Sequence, residues 1–445
     1  MTTIGREAVR ALFDQVFAFS QADQTEALLE AGQQSLTRFA NNGIHQNVVE
    51  RNARLRVRAV VGTRQGVATT NDLSLEGVRR VVAEAVEIAR LQPENPDFPG
   101  LPAPRPIAPA PAYSDATATS SPESRARSVR AVCQLAGERG LVASGALSTG
   151  VEELAIGNSL GVFAYDQRTV ATFRTVVMSD DSSGYAERHG VDVTTLDLEA
   201  AGREAVEKAV RGRGPVEVPP GVYPVVLEEY AVAELLEYMA YMGFGALAVQ
   251  EGTSFLCDRF GQRVVDERIS IWDDGHDARG IPMAFDYEGV PKQRVTIVER
   301  GVARDVVYDS LTAHRAGRTS TGHALPQPNA FGPIPWNLFL GTGQDDREEL
   351  SRGMERGLWV TRFHYVNVVH ARKGVLTGMT RDGTFLVERG EVARPVKNLR
   401  FTQGVLEALS TVEGVGRTWR TVGSATVPAL RLGAFTFTGA TDLAS

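Results

Sequence analysis

Along the chain the apolar positions change period several times, and each change marks an element. From about Arg6 to Gln21 they repeat at helical spacing. Strand-type residues take over in SLTRFANNGIHQNV (35–48) and ARLRVRAVVGTRQGVATT (53–70). In the second, Leu55, Val57 and Ala59 share one face and Arg54, Arg56 and Arg58 the other, which predicts an antiparallel sheet with one wet face. DLSLEGVRRVVAEAVEIARL then predicts a helix from its N-cap, Ser74, to Leu91, with Val78, Val81, Val82, Ala85, Val86 and Ala89 along one stripe. The proline-rich QPENPDFPGLPAPRPIAPAPAY (92–113) cannot continue it and reads as an extended surface connector. Further helices are expected over about Ser121–Arg139 and Leu196–Arg211, with two or three strands between Leu141 and Met178 that turn at GNSLG (157–161).

GRGPVEVPPGVYPVVL (212–227) interrupts both periods, so the domain seam is placed there. The expected organisation is an α+β fold: an N-terminal α+β domain, 1–214, with an antiparallel sheet and helices, and a β-rich C-terminal domain, 215–445. In the second half strand and turn dominate, apart from a helix at AELLEYMAYMGFGAL (233–247) and another near Asp345–Arg356. VERGVAR (298–304) and VERGEVAR (387–394) each read as a hairpin, with Gly301 or Gly390 supplying the positive φ of the turn.

With 445 residues the chain is long enough for about two to three domains. Apolar residues at 43% and charged residues at 23% fit a folded, water-soluble protein. The balance of 47 basic and 54 acidic residues, a net charge of -7, is a poor match for a phosphate backbone, so direct nucleic-acid binding is not expected. No uninterrupted apolar run of about 18 residues occurs, and MTTIGREAVRALF does not read as a signal peptide, so the expectation is a cytoplasmic protein without membrane contact. Two distant cysteines, Cys133 and Cys257, exclude a disulfide framework or a cysteine-rich zinc site and read as small core residues.

The residues that could carry chemistry are dispersed. No pair among the seven histidines forms H-E-x-x-H, and His364 and His370 of HYVNVVH would share a strand face but stand far apart along it. GNSLG fits G-x-S-x-G at Ser159, yet strand pattern follows it where a nucleophile elbow needs a helix. Asp273, Asp274, Asp277, Asp286 and Glu288 of WDDGHDARGIPMAFDYEG read as turn residues. GFGAL and GTGQDD fall short of a nucleotide fingerprint, so no nucleotide cofactor is assigned. Glu234, Glu237, Tyr238 and Tyr241 form one polar stripe opposite Leu235, Leu236, Met239 and Met242, a wetted or interfacial face or the remnant of a catalytic cleft.

Taken in order, SLTRFANNGIHQN, RAVVGTRQGVATTN, ARLQPENPDFPGLP, GTSFLCDRFGQRVVDERISIWDDG, FDYEGVPKQRVTIVERGV, RTSTGHALP and FLVERGEVARPVKNLRF resemble the TldD/PmbA family, also called modulators of DNA gyrase. The resemblance implies a metallopeptidase-like fold in which a helix after the seam carries H-E-x-x-x-H and a late cysteine completes a zinc site. Histidines five apart lie about 140° apart on a regular helix, so such a helix has to end or distort between them. Aligned without a gap on EGTSF, this chain has Glu237 at the first histidine, Tyr238 at the glutamate and Met242 at the second histidine. Shifted by one, the positions hold Leu236, Glu237 and Tyr241. Neither register contains a histidine, and no cysteine follows Cys257.

The resemblance therefore implies a TldE/PmbA-type subunit with degenerate metal positions at Glu237 and Met242, no catalytic residue beyond a vestigial Glu237, and no metal of its own. Zinc is expected in a TldD-type partner with which the chain forms a heterodimer, or the chain pairs with itself as a homodimer. The ligand is expected to be an unfolded or modified peptide, with Ser320, Thr321, Gly322 and His323 as a peptide-cleft loop. Two alternatives stand beside this reading: an autonomous hydrolase using His323 with an acid, and a homodimeric peptide-binding scaffold.

Overall fold

The computed structural model describes residues 3–440. Its first half runs α1 (Arg6–Phe19), β1 (Gln24–Ala40), β2 (Gly43–Val61), β3 (Arg64–Thr70), α2 (Leu75–Leu91), α3 (Asp115–Ala118), α4 (Pro122–Gly137), β4 (Val142–Asn158), β5 (Phe163–Met178), β6 (Ser183–Gly190) and α5 (Leu198–Arg211). The six strands form one antiparallel sheet in the order β3-β2-β1-β4-β5-β6. Leu55, Val57, Ala59, Ala27 and Leu29 project from one face under α1 and α2. Phe39, Ala143, Leu147, Phe173 and Val177 project from the same face under α4 and α5. Helix α2 starts where the sequence places it, with the Ser74 hydroxyl accepting from the Gly77 amide at 3.2 Å. The GNSLG segment is the β4–β5 hairpin turn, and Gly161 has φ +101° there.

Helices α1, α2, α4 and α5 leave the opposite face of this sheet open to the second half, and it is not uniformly wet. Arg58 is buried, donating from Nη2 to Glu26 Oε2 at 2.5 Å and lying 3.6 Å from Glu288 Oε1 of the second half. Two-residue alternation assigns the face correctly but cannot show that a distant segment covers one end of it.

The second half continues with β7 (Gly221–Leu227), α6 (Glu229–Gly243), α7 (Ala246–Gln250), β8 (Ile271–Asp273), β9 (Val295–Glu299), β10 (Val302–Ala303), α8 (Ser310–Arg315), β11 (Leu338–Leu340) and β12 (Arg356–His370). It ends with β13 (Val375–Glu388), β14 (Glu391–Pro395), β15 (Leu399–Gly404), α9 (Val405–Leu409), β16 (Val412–Val415), β17 (Arg420–Val422), β18 (Ala425–Val427) and β19 (Leu430–Ala440). One sheet has the order β10-β9-β8-β11-β18-β17. The other has the order β12-β7-β19-β15-β13-β14, and because β12 also pairs with β13, five of its strands close on themselves. Phe363, Phe401, Phe435 and Phe437 belong to the core that these strands share with α6.

Two sequence expectations change here. The stretch 212–227 is not all seam, since Val216 bridges to Val396 and β7 lies between β12 and β19. The helix near Asp345–Arg356 reduces to a short 3-10 turn at Arg347–Glu349. Asp345 accepts from the Val415 amide at 3.0 Å, Gly353 has φ +75°, and Leu350 and Met354 are drawn under Trp359 and Phe385, so tertiary contacts override helix-forming composition. Along β12, Tyr365 has φ +50° and the register shifts between His364 and Asn367 and again between Val368 and His370; the two shifts offset each other, so His364 and His370, opposite Met379 and Val375, share a face as the sequence predicts and stand apart along it. Both VERG hairpins form, with Arg300 and Gly301 at φ 46° and 78° and Arg389 and Gly390 at 53° and 83°.

The second half meets the open sheet face in two places. Leu28, Leu154, Ile156 and Ala164 pack with Met283, Ala284 and Phe285 at one end. At the other, the Arg362 guanidinium lies over the Tyr185 ring at 4.3 Å, and the Tyr230 hydroxyl accepts from the Glu187 amide at 3.1 Å. Among the described residues no helix is long and apolar enough to cross a membrane.

Candidate functional site

Strand β7 delivers the chain into α6, whose first turn is anchored by ions from both halves. Lys208 of α5 donates to Glu204 at 2.8 Å and to Glu228, the residue before α6, at 2.6 Å. Arg188 and Arg420 donate to Glu204, Arg347 donates to Glu229, and the Trp359 indole donates to Glu228 at 2.7 Å. Burial opposes ionisation of Glu228, but Lys208 and Arg347 outweigh it and hold its carboxyl below the usual range.

Beyond this anchor α6 buries Leu235, Leu236, Met239 and Met242 and turns Glu234, Glu237, Tyr238 and Tyr241 to the other side. The stripe is therefore interfacial along most of its length. Glu237 Oε1 accepts from the Ser424 amide at 3.2 Å and from its hydroxyl at 3.3 Å. Gly423 permits that approach, since a Cβ there would sit 2.4 Å from the same oxygen. The Tyr238 hydroxyl donates to the Val366 carbonyl. Tyr241, 54% exposed, packs its ring against Phe331, 60% exposed, with centroids 5.8 Å apart. Nothing in the sequence marks Gly423, Ser424 or Phe331 as site residues, since each is brought to α6 from a distant segment.

Burial raises the Glu234 carboxyl to about 7, with Arg362 opposing and Glu237 adding to the shift. Glu237 is raised as well, by burial first, with the Ser424 hydrogen bonds opposing. A carboxyl raised on folding contributes its stability below the unfolded value and loses it as pH rises through the folded one. Glu234→Gln should therefore melt higher than the parent at pH 8, by about 1–3 kcal/mol, with the gain vanishing near pH 5. Thermal melts at the two pH values check this.

The two degenerate metal positions do not converge. Helix α6 runs unbroken from Glu229 to Gly243, so it neither ends nor distorts between Glu237 and Met242, and the two side chains diverge by about 140°. Glu237 faces Ser424, whereas Met242 is 3% exposed within the core. In the other register Leu236 is core and Tyr241 is exposed. Cys257 is buried, with Sγ 3.6 Å from the Val249 carbonyl. Zinc in such enzymes needs three convergent nitrogen, sulfur or oxygen donors, and one carboxylate beside a core thioether does not fit it. Among the described residues no three His, Cys, Asp or Glu side chains assemble into a metal-holding group.

The Ser320–His323 loop lies elsewhere and is packed inward. His323 is 0% exposed; its Nε2 is 2.8 Å from Asp273 Oδ1 and its Nδ1 is 2.9 Å from Thr321 Oγ1. The Ser320 hydroxyl donates to the Tyr308 carbonyl at 3.2 Å, and Gly322, at φ +76°, leaves no room for a Cβ against Pro291. Burial and nearby Lys292 keep the His323 ring neutral, so it donates to an ionised Asp273 that also accepts from the Trp336 and Asn337 amides. His323 does have an acid partner, as a hydrolase would need, but both side chains are sealed from solvent and hold a structural network. The turn reading of 272–289 holds for Asp274 and Asp277 and for 286–289, where the Gly289 amide donates to the Asp286 carbonyl at 3.0 Å, and fails for Asp273, which lies in β8; Asp286 and Glu288 are buried within their turn, and Asp286 is raised to about 7 by burial and then by Glu288.

Three family models cover most of the chain: PmbA/TldA metallopeptidase domain 1 at residues 25–89, the central domain at 110–213 and the C-terminal domain at 220–439. The chain belongs to the PmbA/TldD family. Among family members, the metalloprotease PmbA of Escherichia coli O157:H7 is 23% identical, with 83% of this chain and 83% of that protein matched. The metalloprotease TldD homolog of Haemophilus influenzae is 26% identical over 61% of this chain and 59% of that protein. Against the Methanothermobacter thermautotrophicus metalloprotease the match spans 57% of the relative's length, at 28% identity. The PmbA/TldD fold is matched over its whole extent by TldE from Thermococcus kodakarensis, with TM-score 0.88 at 20% identity over 97% of this chain and 100% of that one. A Thermotoga maritima protein described as a putative modulator of a DNA gyrase gives TM-score 0.87 at 20% identity over the same shares.

Proposed function

We propose that this chain is a non-catalytic, peptide-holding subunit of a TldD–TldE type metallopeptidase pair, in which a histidine-bearing relative supplies zinc and bond cleavage. The observation that carries the reading is the divergence of Glu237 and Met242 on an uninterrupted α6, one toward Ser424 and the other into the core. A metallopeptidase needs an ion with an open position and a base beside it, and this donor set offers neither. What supports a holding role is that α6 faces the open side of the first sheet, close enough that Glu237 feels the charges of Glu187 and Arg174. An extended peptide can be held on such a surface by the polar side chains that project from it, since these can serve peptide groups of any sequence.

The test mixes the purified chain with a histidine-bearing family member and follows cleavage of an unstructured peptide. Activity should require the relative, and the two should co-elute on size exclusion. Glu237→Gln in this chain should leave the mixture's rate within about tenfold, less than loss of a general base would remove. Stoichiometric zinc together with cleavage by this chain alone would overturn the reading. Self-association with peptide binding and no pairing would favour the homodimeric scaffold instead.

A further inference from the structure

Between the two places where the second half meets the open sheet face, that face is hollow. Along β5 the apolar contact ends at Ala164 and the polar contact begins at Arg174; Arg168, Val170 and Thr172 between them border a cavity of about 450 Å³. That volume lies within the range of about 300–1,000 Å³ typical of ligand sites. Its floor includes two positions without side chains, Gly32 on β1 and Gly150 on β4, diagonal neighbours in the paired register Gly32–Glu152 and Gln34–Gly150. Tyr287 of the second half closes one side.

The charges at the cavity are unevenly matched. Arg168 donates from Nε to Glu152 at 2.7 Å, while its Nη1 is buried without a hydrogen-bond partner. Arg54 stands at the rim, exposed, directly opposite Glu30 in the β1–β2 register, and among the described residues its side chain has no hydrogen bond or ion pair. A guanidinium with its fork free is built to take a carboxylate through two parallel N–H bonds. Glu30, Glu50, Glu152 and Glu153 line the same space, which disfavours a polyanion and leaves a single carboxylate on an otherwise neutral chain as the acidic group that Arg54 could receive. Gln34, Asn52 and Ser148 offer amides and a hydroxyl for peptide groups.

We propose that this cavity is a subsite for the free carboxyl end of an extended peptide, with Arg54 as the residue that receives the carboxylate. The inference rests on the peptide-holding reading above. The spacing agrees with it: Arg174, which Glu237 senses, and Arg168 are six residues apart on β5, about 20 Å, so roughly six extended residues join α6 to the cavity.

The test uses fluorescence anisotropy of the full chain with two unrelated unstructured ten-residue peptides, each labelled at its amino end and made as free acid and as C-terminal amide. The acids should bind about tenfold or more tightly than the amides. Arg54→Gln should weaken the acids to the level of the amides and leave the amides unchanged. Gly150→Val, whose added Cβ meets only Gln33 O at 3.4 Å, should fill the floor and weaken the acids. If that variant fails to fold, Arg54→Gln, an exposed change, still decides. Equal binding of acid and amide, or an Arg54→Gln loss shared equally by both, overturns the subsite while leaving the peptide-holding reading intact. Failure of both peptides to bind in either form overturns both.

Discussion

Replacing Arg58 with Met is expected to destabilise the protein by about 3–5 kcal/mol at pH 8, because it removes the one cation shared by two buried carboxylates from opposite halves. Glu26 and Glu288 would then lie in a low-dielectric junction with little to balance them. Burial already pushes the Glu26 carboxyl up even with Arg58 present, and Asp309 nearby is raised by burial and then by Glu288. Carboxyls raised on folding contribute stability below their unfolded values and lose it as pH rises through the folded ones. The deficit of the Met variant should therefore shrink toward pH 5, where protonation removes the uncompensated charge. A mere loss of packing would not depend on pH in this way. Denaturant melts of both proteins at pH 5 and pH 8 make the measurement.

At the other junction, Lys208→Ala should cost a similar amount, about 3–5 kcal/mol at pH 7, since it leaves the buried Glu228 without its ammonium partner. Glu204 is less affected because Arg188 and Arg420 remain. The intact Glu228 carboxyl is held low, so its contribution is present above about pH 4.3 and is lost as pH falls through the depressed value. In the variant the same carboxyl, now governed by burial, takes up a proton more readily, and the two melting curves should converge in acid. Adding Glu228→Gln to Lys208→Ala should recover part of the loss, because both charges are then gone. If the double variant is as unstable as the sum of the singles, the pair is not the source of the effect.

Both junctions show which parts of the molecule sequence could convey. Helix α2 was legible in full, from the Ser74 cap to the valine and alanine stripe, because every contact that defines it recurs within four residues. The GNSLG and VERG turns were legible for the same reason, since backbone conformation there is set by one or two residues. The stretch 345–356 was misread because its helix-forming composition is local while Leu350 and Met354 answer to Trp359 and Phe385. Arg58 read as a solvated arginine because its second partner, Glu288, lies 230 residues further on.

The alternating strands, the capped helices, the turns and the lack of histidines at the α6 positions could be read from the chain, because each depends on neighbours or on residue identity alone. Folding in three dimensions was needed to show that Glu237 and Met242 part company, that His323 and Asp273 seal one another away, and that Arg54 borders a hollow in an open sheet face. Those outcomes depend on which distant segments exclude water from a given side chain. Burial sets both a carboxyl's charge and its partners, and no spacing along the chain encodes it.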